Sequence, residues 1–312
     1  MAPVRPAEAG RIEWLRFAAY GASALAAAVF AAMVGLFLLQ SLPLWRGEGP
    51  AAYLLGARWF YRADEFGVLP MIYGTAVVSA VALALAAPVG LGAAVFTSEL
   101  LPPRLRLGVK TVVELLAGVP SVVYGLLGVV LLRDWIFHLL QPFDPLSGDT
   151  LLTGGVLLSV MILPTVMTFA DDALQGVPGA QRRAARGLGL SRAGTVLTVV
   201  VPRALPGLAA AVLLGLGRAL GETIAVFLVV GRRDNQLPES VLSPGSLLRP
   251  VIEPGQTLTS KLGGSETFLA WGDPLHWAAI VGLALVLLAM VTAVTLVSGA
   301  LIRRGGTDAA TD

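Results

Sequence analysis

Arg218 and Glu222 stand four residues apart inside an otherwise apolar run from Ala204 to Val230. A charge held at mid-bilayer is costly, about 2.5 to 17 kcal/mol for an arginine depending on method, and such residues face a bundle interior or an aqueous cavity rather than lipid. Read as one helix rising about 1.5 Å per residue, the run is about 40 Å long with its midpoint near Gly217, which puts Arg218 at maximal depth. The i,i+4 spacing places Arg218 and Glu222 on one face, able to pair with each other, beside a small-xxx-small ridge of Gly217 and Gly221. A guanidinium stays charged at any biological pH, and its forked donors match a tetrahedral oxyanion such as phosphate. Glu222 is expected to restrain Arg218 at rest and to accept the proton-bearing oxygen of hydrogen phosphate, which sulfate lacks. The competing reading makes the pair an interhelical strut with no ligand contact.

The surrounding chain must hold such a pair in lipid. Of 312 residues, 56% are hydrophobic and 13% charged, with a mean hydropathy of +0.78. That excludes an ordinary soluble domain of this size and predicts an all-α integral membrane protein. Six stretches reach the roughly 20 apolar residues a crossing needs. They are Phe17 to Leu42, Val68 to Ser98, Thr111 to Leu132, Thr150 to Ala170, Ala204 to Val230 and Pro274 to Ile302. The first is too long for a secretory signal core, despite Arg5, Arg11 and Arg16 before it, and reads as a retained anchor. With the N-terminus inside, the inner segments carry thirteen lysines and arginines and the outer segments eight, and Arg218 completes the 22. The positive-inside bias then predicts that both termini are cytoplasmic. No cysteine is present, which excludes disulfides, thiolate nucleophiles and cysteine metal ligands.

Residues 1–67 read as an N-terminal transmembrane helix and outer linker, appended to a five-helix core over 68–304, with a disordered tail at 305–312. Spans two and three are expected to join through a tight inner turn at Pro102 and Pro103. Spans three and four join outside, around Gln141 to Pro145. The outer loop from Arg232 to Asp273, rich in Pro, Gly and Ser, is expected to lack regular structure over most of its length. The inner stretch 177–202 differs from a simple turn. Pro178 opens a short basic helix, Gly187 and Gly189 end it, and Ser191 caps a second helix leading to Pro202. Such an elbow either docks into another protein's groove, with Leu188 as its apolar anchor, or lies in the interface as a basic helix.

The string RAARGLGLSRAGTVLTVVVPRALPG from Arg183 resembles the coupling loop of ABC-importer permeases, whose pattern is Glu-Ala-Ala, three residues, Gly, nine residues, Ile-x-Leu-Pro. Ala184, Ala185, Gly189, Val199, Val201 and Pro202 fall at matching positions, whereas Arg183 stands where the family has glutamate. GLGRALGETIAV from Gly215, FGVLPMIYGT from Phe66 and ELLAGVPSVVYGLLG from Glu114 are similar to the PstC-type permease subunit of phosphate-specific ABC importers; the sister PstA-type subunit is similar too. The resemblance implies a type I ABC importer permease fold, with Arg218 and Glu222 implicated in phosphate passage and the 177–202 elbow seated on a separate ATPase. It also implies a second permease, a cytosolic ATPase dimer and an external phosphate-binding protein as partners. The chain has no P-loop, since valine and not glycine stands directly before Lys110-Thr111 and leucine follows Lys261, so ATP and Mg belong to the partner and no cofactor is expected on this chain.

Thr223, Ser121 and Tyr124 are secondary candidates for hydroxyls along the path, although hydroxyls also serve as helix-packing bonds. Glu114 is expected to pair with Lys110 or to reach the inner interface. His138 and His276 lie on different outer loops without a third ligand, which gives no metal site. Asp171 and Asp172, at the inner boundary, are expected to be solvated or to pair with loop arginines. Two other function classes remain. An ion-coupled carrier has no inverted repeat to support it, and a membrane hydrolase has no GxSxG setting around Ser121 and no neighbouring histidine base.

Overall fold

The computed structural model describes residues 6–47, 49–238 and 244–307. Six helical stretches are long and apolar enough to cross a membrane: Arg16–Gly47, Leu69–Leu100, Ser121–Phe143, Leu151–Gln175, Arg192–Gly221 and Pro274–Ile302. An even number of crossings brings the start of the first helix and the end of the last to one face, termed terminal, opposite a distal face.

Helix α1 (Pro6–Gly47) and the short α2 (Gly49–Leu55) lead to a two-stranded hairpin, β1 (Trp59–Phe60) with β2 (Glu65–Phe66). The linker expected to be an appendage is built into the bundle. Tyr53, Trp59 and Phe66 are buried with Leu258, Ala279 and Leu283 in one apolar cluster, and the Tyr53 hydroxyl donates to the Ala279 carbonyl at 2.8 Å.

Helix α3 (Leu69–Val95) continues through a π turn, Phe96–Leu100, and then Pro102 redirects the chain into α4 (Pro103–Ala117). Here the structure departs from the expected third span and from the tight turn between spans two and three. α4 is amphipathic. It sets Arg106, Lys110 and Val113 toward the fourth span while Leu105, Leu107, Val112 and Leu115 stay exposed. Pro120, which lacks an N–H and disfavours helix in the residue before it, breaks the chain at Val119. The third span therefore starts at Ser121, with α5 (Ser121–Leu127), a π turn and α6 (Arg133–Leu140).

The fourth span, α7 (Leu151–Gln175), is the most enclosed and packs along α3. Small residues allow the approach. A Cβ on Gly155 would lie 2.6 Å from Val81, and one on Gly90 would lie 3.0 Å from Val166. On the terminal face follow α8 (Gly179–Gly187) and α9 (Arg192–Thr195), where the Ser191 hydroxyl accepts from the Gly194 N–H at 3.0 Å as a cap. A π turn, Val196–Val200, feeds α10 (Val201–Gly221).

α10 is succeeded by α11 (Ile224–Val229), and the distal segment beyond it contains α12 (Pro244–Ile252), α13 (Leu258–Leu262) and α14 (Glu266–Leu269). The loop expected to be irregular is thus partly helical, and Leu258 to Lys261 are buried. α15 (Pro274–Thr307) forms the sixth span and packs on α10 and α1. Of the tail expected to be disordered, 305–307 continue α15, and 308–312 lie outside the described residues.

Candidate translocation site

The apolar run containing Arg218 and Glu222 is not one helix. α10 ends at Gly221, Glu222 is extended (φ −74°, ψ 121°), and α11 begins at Ile224. Backbone groups freed by a break at membrane depth must find partners, and broken helices occur where the backbone is buried in protein or lines a cavity. Two side chains at the break supply partners. Glu222 Oε1 accepts from the Ala225 N–H at 3.4 Å, and the Thr223 hydroxyl donates to the Gly221 carbonyl at 3.4 Å.

This corrects three expectations. Arg218 lies in the last turn of the fifth span rather than at its midpoint, because that span starts at Arg192. Glu222 does not continue the helical face of Arg218, and among the described residues no ion pair joins the two, so Glu222 does not restrain the guanidinium. The glycine ridge is open at one end, since nothing lies within 4 Å of a Cβ on Gly221 and only Val294, at 3.9 Å, approaches one on Gly217. Arg218 is exposed on the surface of the chain while its neighbours Ala219 and Leu220 are buried, and among the described residues it has no carboxylate partner. A charged fork is therefore presented outward beside an interrupted helix.

Distal to the break lies a chamber of about 290 Å³ lined by Arg232, Asp234, Ser260, Lys261, Gly264 and Glu266, among others. It adjoins the break through Gly263, whose added Cβ would sit 3.3 Å from Thr223 Cγ2. Lys261 is 2% exposed; its Nζ meets both Asp234 oxygens at 2.9 Å and Glu266 Oε2 at 2.5 Å, and lies 5.1 Å from the Trp59 ring centre. Glu266 Oε1 accepts from Trp59 Nε1 at 2.5 Å and meets His276 Nε2 at 3.0 Å. Burial alone would raise the Glu266 pKa. The hydrogen bond and charge of Lys261, together with Trp59 and His276, outweigh it and hold the carboxyl below its ordinary value.

The other candidates are dispersed. Ser121 is half-buried at the start of α5, and Tyr124 is buried with its hydroxyl donating to the Leu116 carbonyl at 2.9 Å across the Pro120 break, which makes it a packing bond. His276 is buried against Glu266 and His138 is exposed; among the described residues no cluster of three or more His, Asp or Glu could hold a metal.

On the terminal face Arg183, Ala184 and Gly189 are exposed, Ala185 is buried, and Pro202 lies in the first turn of α10. Gly189 has φ +85°, a conformation costly for any residue with a Cβ, and it turns the chain between α8 and α9. Leu188 projects at 85% exposure. Asp171 is buried and pairs with Arg106 at 3.0 Å, while Lys110 reaches Asp172 at 3.5 Å and not Glu114, which was one of the two placements expected for that carboxylate. The sequence reading missed Glu99, Arg182, Asp234 and Glu266, and it gave Lys261 no role beyond excluding a P-loop. Lys261 and Glu266 are near in sequence but on separate short helices, while Glu99–Arg182 and Lys261–Asp234 pair over separations that no local spacing reveals.

Residues 86–304 match the family described as "Binding-protein-dependent transport system inner membrane component". The chain is 33% identical over 252 residues to the phosphate transport system permease protein PstC of Mesorhizobium japonicum, covering 76% of this chain and 73% of that protein. It is 36% identical over 247 residues to the phosphate transport system permease protein PstC 1 of Mycobacterium tuberculosis, covering 73% and 70%. Among solved structures, a chain of the inward-facing MetNI methionine ABC transporter superposes with a TM-score of 0.53 at 16% identity, over 76% of this chain and 95% of that one, a likeness of fold.

Proposed function

Because the chain belongs to the family of binding-protein-dependent transport system inner membrane components, we propose that it is the PstC-type permease subunit of an ABC importer that carries inorganic phosphate across the bacterial cytoplasmic membrane. The observation that carries this reading is Arg218, a guanidinium at the distal end of a membrane helix, exposed on the chain and without a carboxylate partner among the described residues. Forked donors of fixed charge suit a phosphate oxyanion. Pairing the exposed face of α10 with a second, PstA-type permease encloses the guanidinium in a shared path. Glu222, free of Arg218, offers an acceptor oxygen to the hydroxyl of hydrogen phosphate. A PstB-type ATPase dimer binds ATP and Mg and docks on α8 and Leu188, which places both termini in the cytoplasm, and an external phosphate-binding protein delivers the substrate to the distal face. No catalytic residue is assigned to this chain.

The test is ATP-dependent accumulation of labelled phosphate by the complex reconstituted in vesicles with its co-expressed partners. Arg218→Ala is expected to abolish accumulation while leaving the complex assembled. Normal accumulation by that variant removes Arg218 from the path, and uptake by the chain alone under an ion gradient without ATP replaces the importer reading with an ion-coupled carrier.

A further inference from the structure

On the terminal face one guanidinium holds three helical elements together. Arg182, on α8, is ion-paired through Nη1 with Glu99, in the π turn that ends the second span, and its Nη2 donates at 2.5 Å to the Leu174 carbonyl in the last turn of α7. The Glu99 side chain is 5% exposed and that of Arg182 19%, so water competes little for the pair. Leu174 is one of the last carbonyls of its helix, which lack a regular intrahelical donor.

Two routes thus lead from α8 into the membrane. One is covalent, through α9 and the π turn Val196–Val200 into α10, which carries Arg218. The other leads to α3 and α7, which pack together along their length: residues 176–178 link α7 directly to α8, and Arg182 ties α8 across that link to Glu99 at the end of the second span and to the Leu174 carbonyl. The neighbouring Arg183 and Arg186 are exposed and take no part in the clamp. A π turn sits on each side, Phe96–Leu100 at the end of the second span and Val196–Val200 before α10, and single π turns inside helices are frequent at functional sites.

We propose that the Arg182–Glu99 pair is the positioning contact that stops α8 from swivelling on the 176–178 link, so that a displacement imposed on α8 by the ATPase moves the α3–α7 pair against α10. The inference rests on the importer reading above. With the pair broken, α8 still docks and still drives α10 through the chain, but it turns on the 176–178 link, α3 and α7 lag, and ATP is spent without moving phosphate.

The experiment measures ATP hydrolysis and phosphate accumulation in the same vesicles for the wild-type complex, Glu99→Gln, Arg182→Gln and the reversal Arg182→Glu with Glu99→Arg. Each single variant is expected to keep ATP hydrolysis while phosphate moved per ATP falls about tenfold, within the usual span of coupling between sites. The reversal is expected to recover most of that ratio, which a merely structural loss would not allow. An unchanged ratio in both single variants overturns the proposal, as does a loss of hydrolysis and assembly together that the reversal fails to restore. Absence of phosphate accumulation by the wild-type complex would instead strike the importer reading itself.

Discussion

Two cations in the distal half of the protein are treated in opposite ways. Lys261 is 2% exposed, ringed by Asp234, Glu266 and the Trp59 ring, with every partner supplied by the chain. Arg218 lies exposed at the end of α10 and takes no carboxylate among the described residues, although Glu222 is only four positions away. The helix break makes the difference, since it turns Glu222 off the α10 face and engages it with the Ala225 N–H. A cation satisfied within its own chain belongs to the scaffold. One denied the nearest carboxylate stays open to a partner from outside the chain, which is what the proposed importer role asks of Arg218.

That contrast is sharpest in stability. Removing one partner from a buried charge cluster strands the others and costs about 3 to 5 kcal/mol. Lys261→Met should therefore lower the thermal unfolding midpoint of the purified complex severely, whereas Arg218→Ala should leave it close to wild type. An equal loss in both variants would mean that Arg218 also braces the fold, and the distinction between the two cations would fall.

A smaller effect is expected at Glu222. If its oxygen accepts the hydroxyl of hydrogen phosphate, Glu222→Gln keeps an acceptor but exchanges a charged hydrogen bond for a neutral one. A difference of about 1 kcal/mol corresponds to about fivefold in the preference for phosphate over sulfate. Competition by sulfate in the transport assay reads it, and an unchanged preference with full uptake assigns Glu222 to capping α11 alone.

The same contrast explains what the sequence could disclose. Composition and apolar run length exposed the membrane class, four of the six spans to within a few residues, and the capped elbow at Ser191, because those signals are local. The third and fifth spans were displaced because hydropathy does not register a backbone break. Pro120 stops a helix amid apolar residues, and Gly221-Glu222-Thr223 interrupts one that counts as continuous by composition. Arg218 was legible as a charge inside an apolar run. The Lys261 cluster was not, since its members Trp59, Asp234, Glu266 and His276 come from four segments that only the folded chain brings together.

The pH dependence of the distal cluster provides the gentlest test. The folded-state pKa of Glu266 lies below its ordinary value, chiefly because Lys261 overcomes the opposing effect of burial. A carboxylate with a lowered folded pKa contributes stability that is fully present above its unfolded pKa, about 4.3, and is lost as pH falls through the folded pKa. The unfolding midpoint of the wild-type protein should thus hold steady from neutral pH toward about 5 and decline below that. Other carboxylates titrate in the same range, so the informative quantity is the difference between wild type and Glu266→Gln, which should narrow as acid neutralises Glu266 in the wild type. Arg218→Ala should leave that narrowing intact, because the guanidinium of Arg218 takes no part in the cluster, and a narrowing that disappeared with Arg218 would join the two cations into one electrostatic unit.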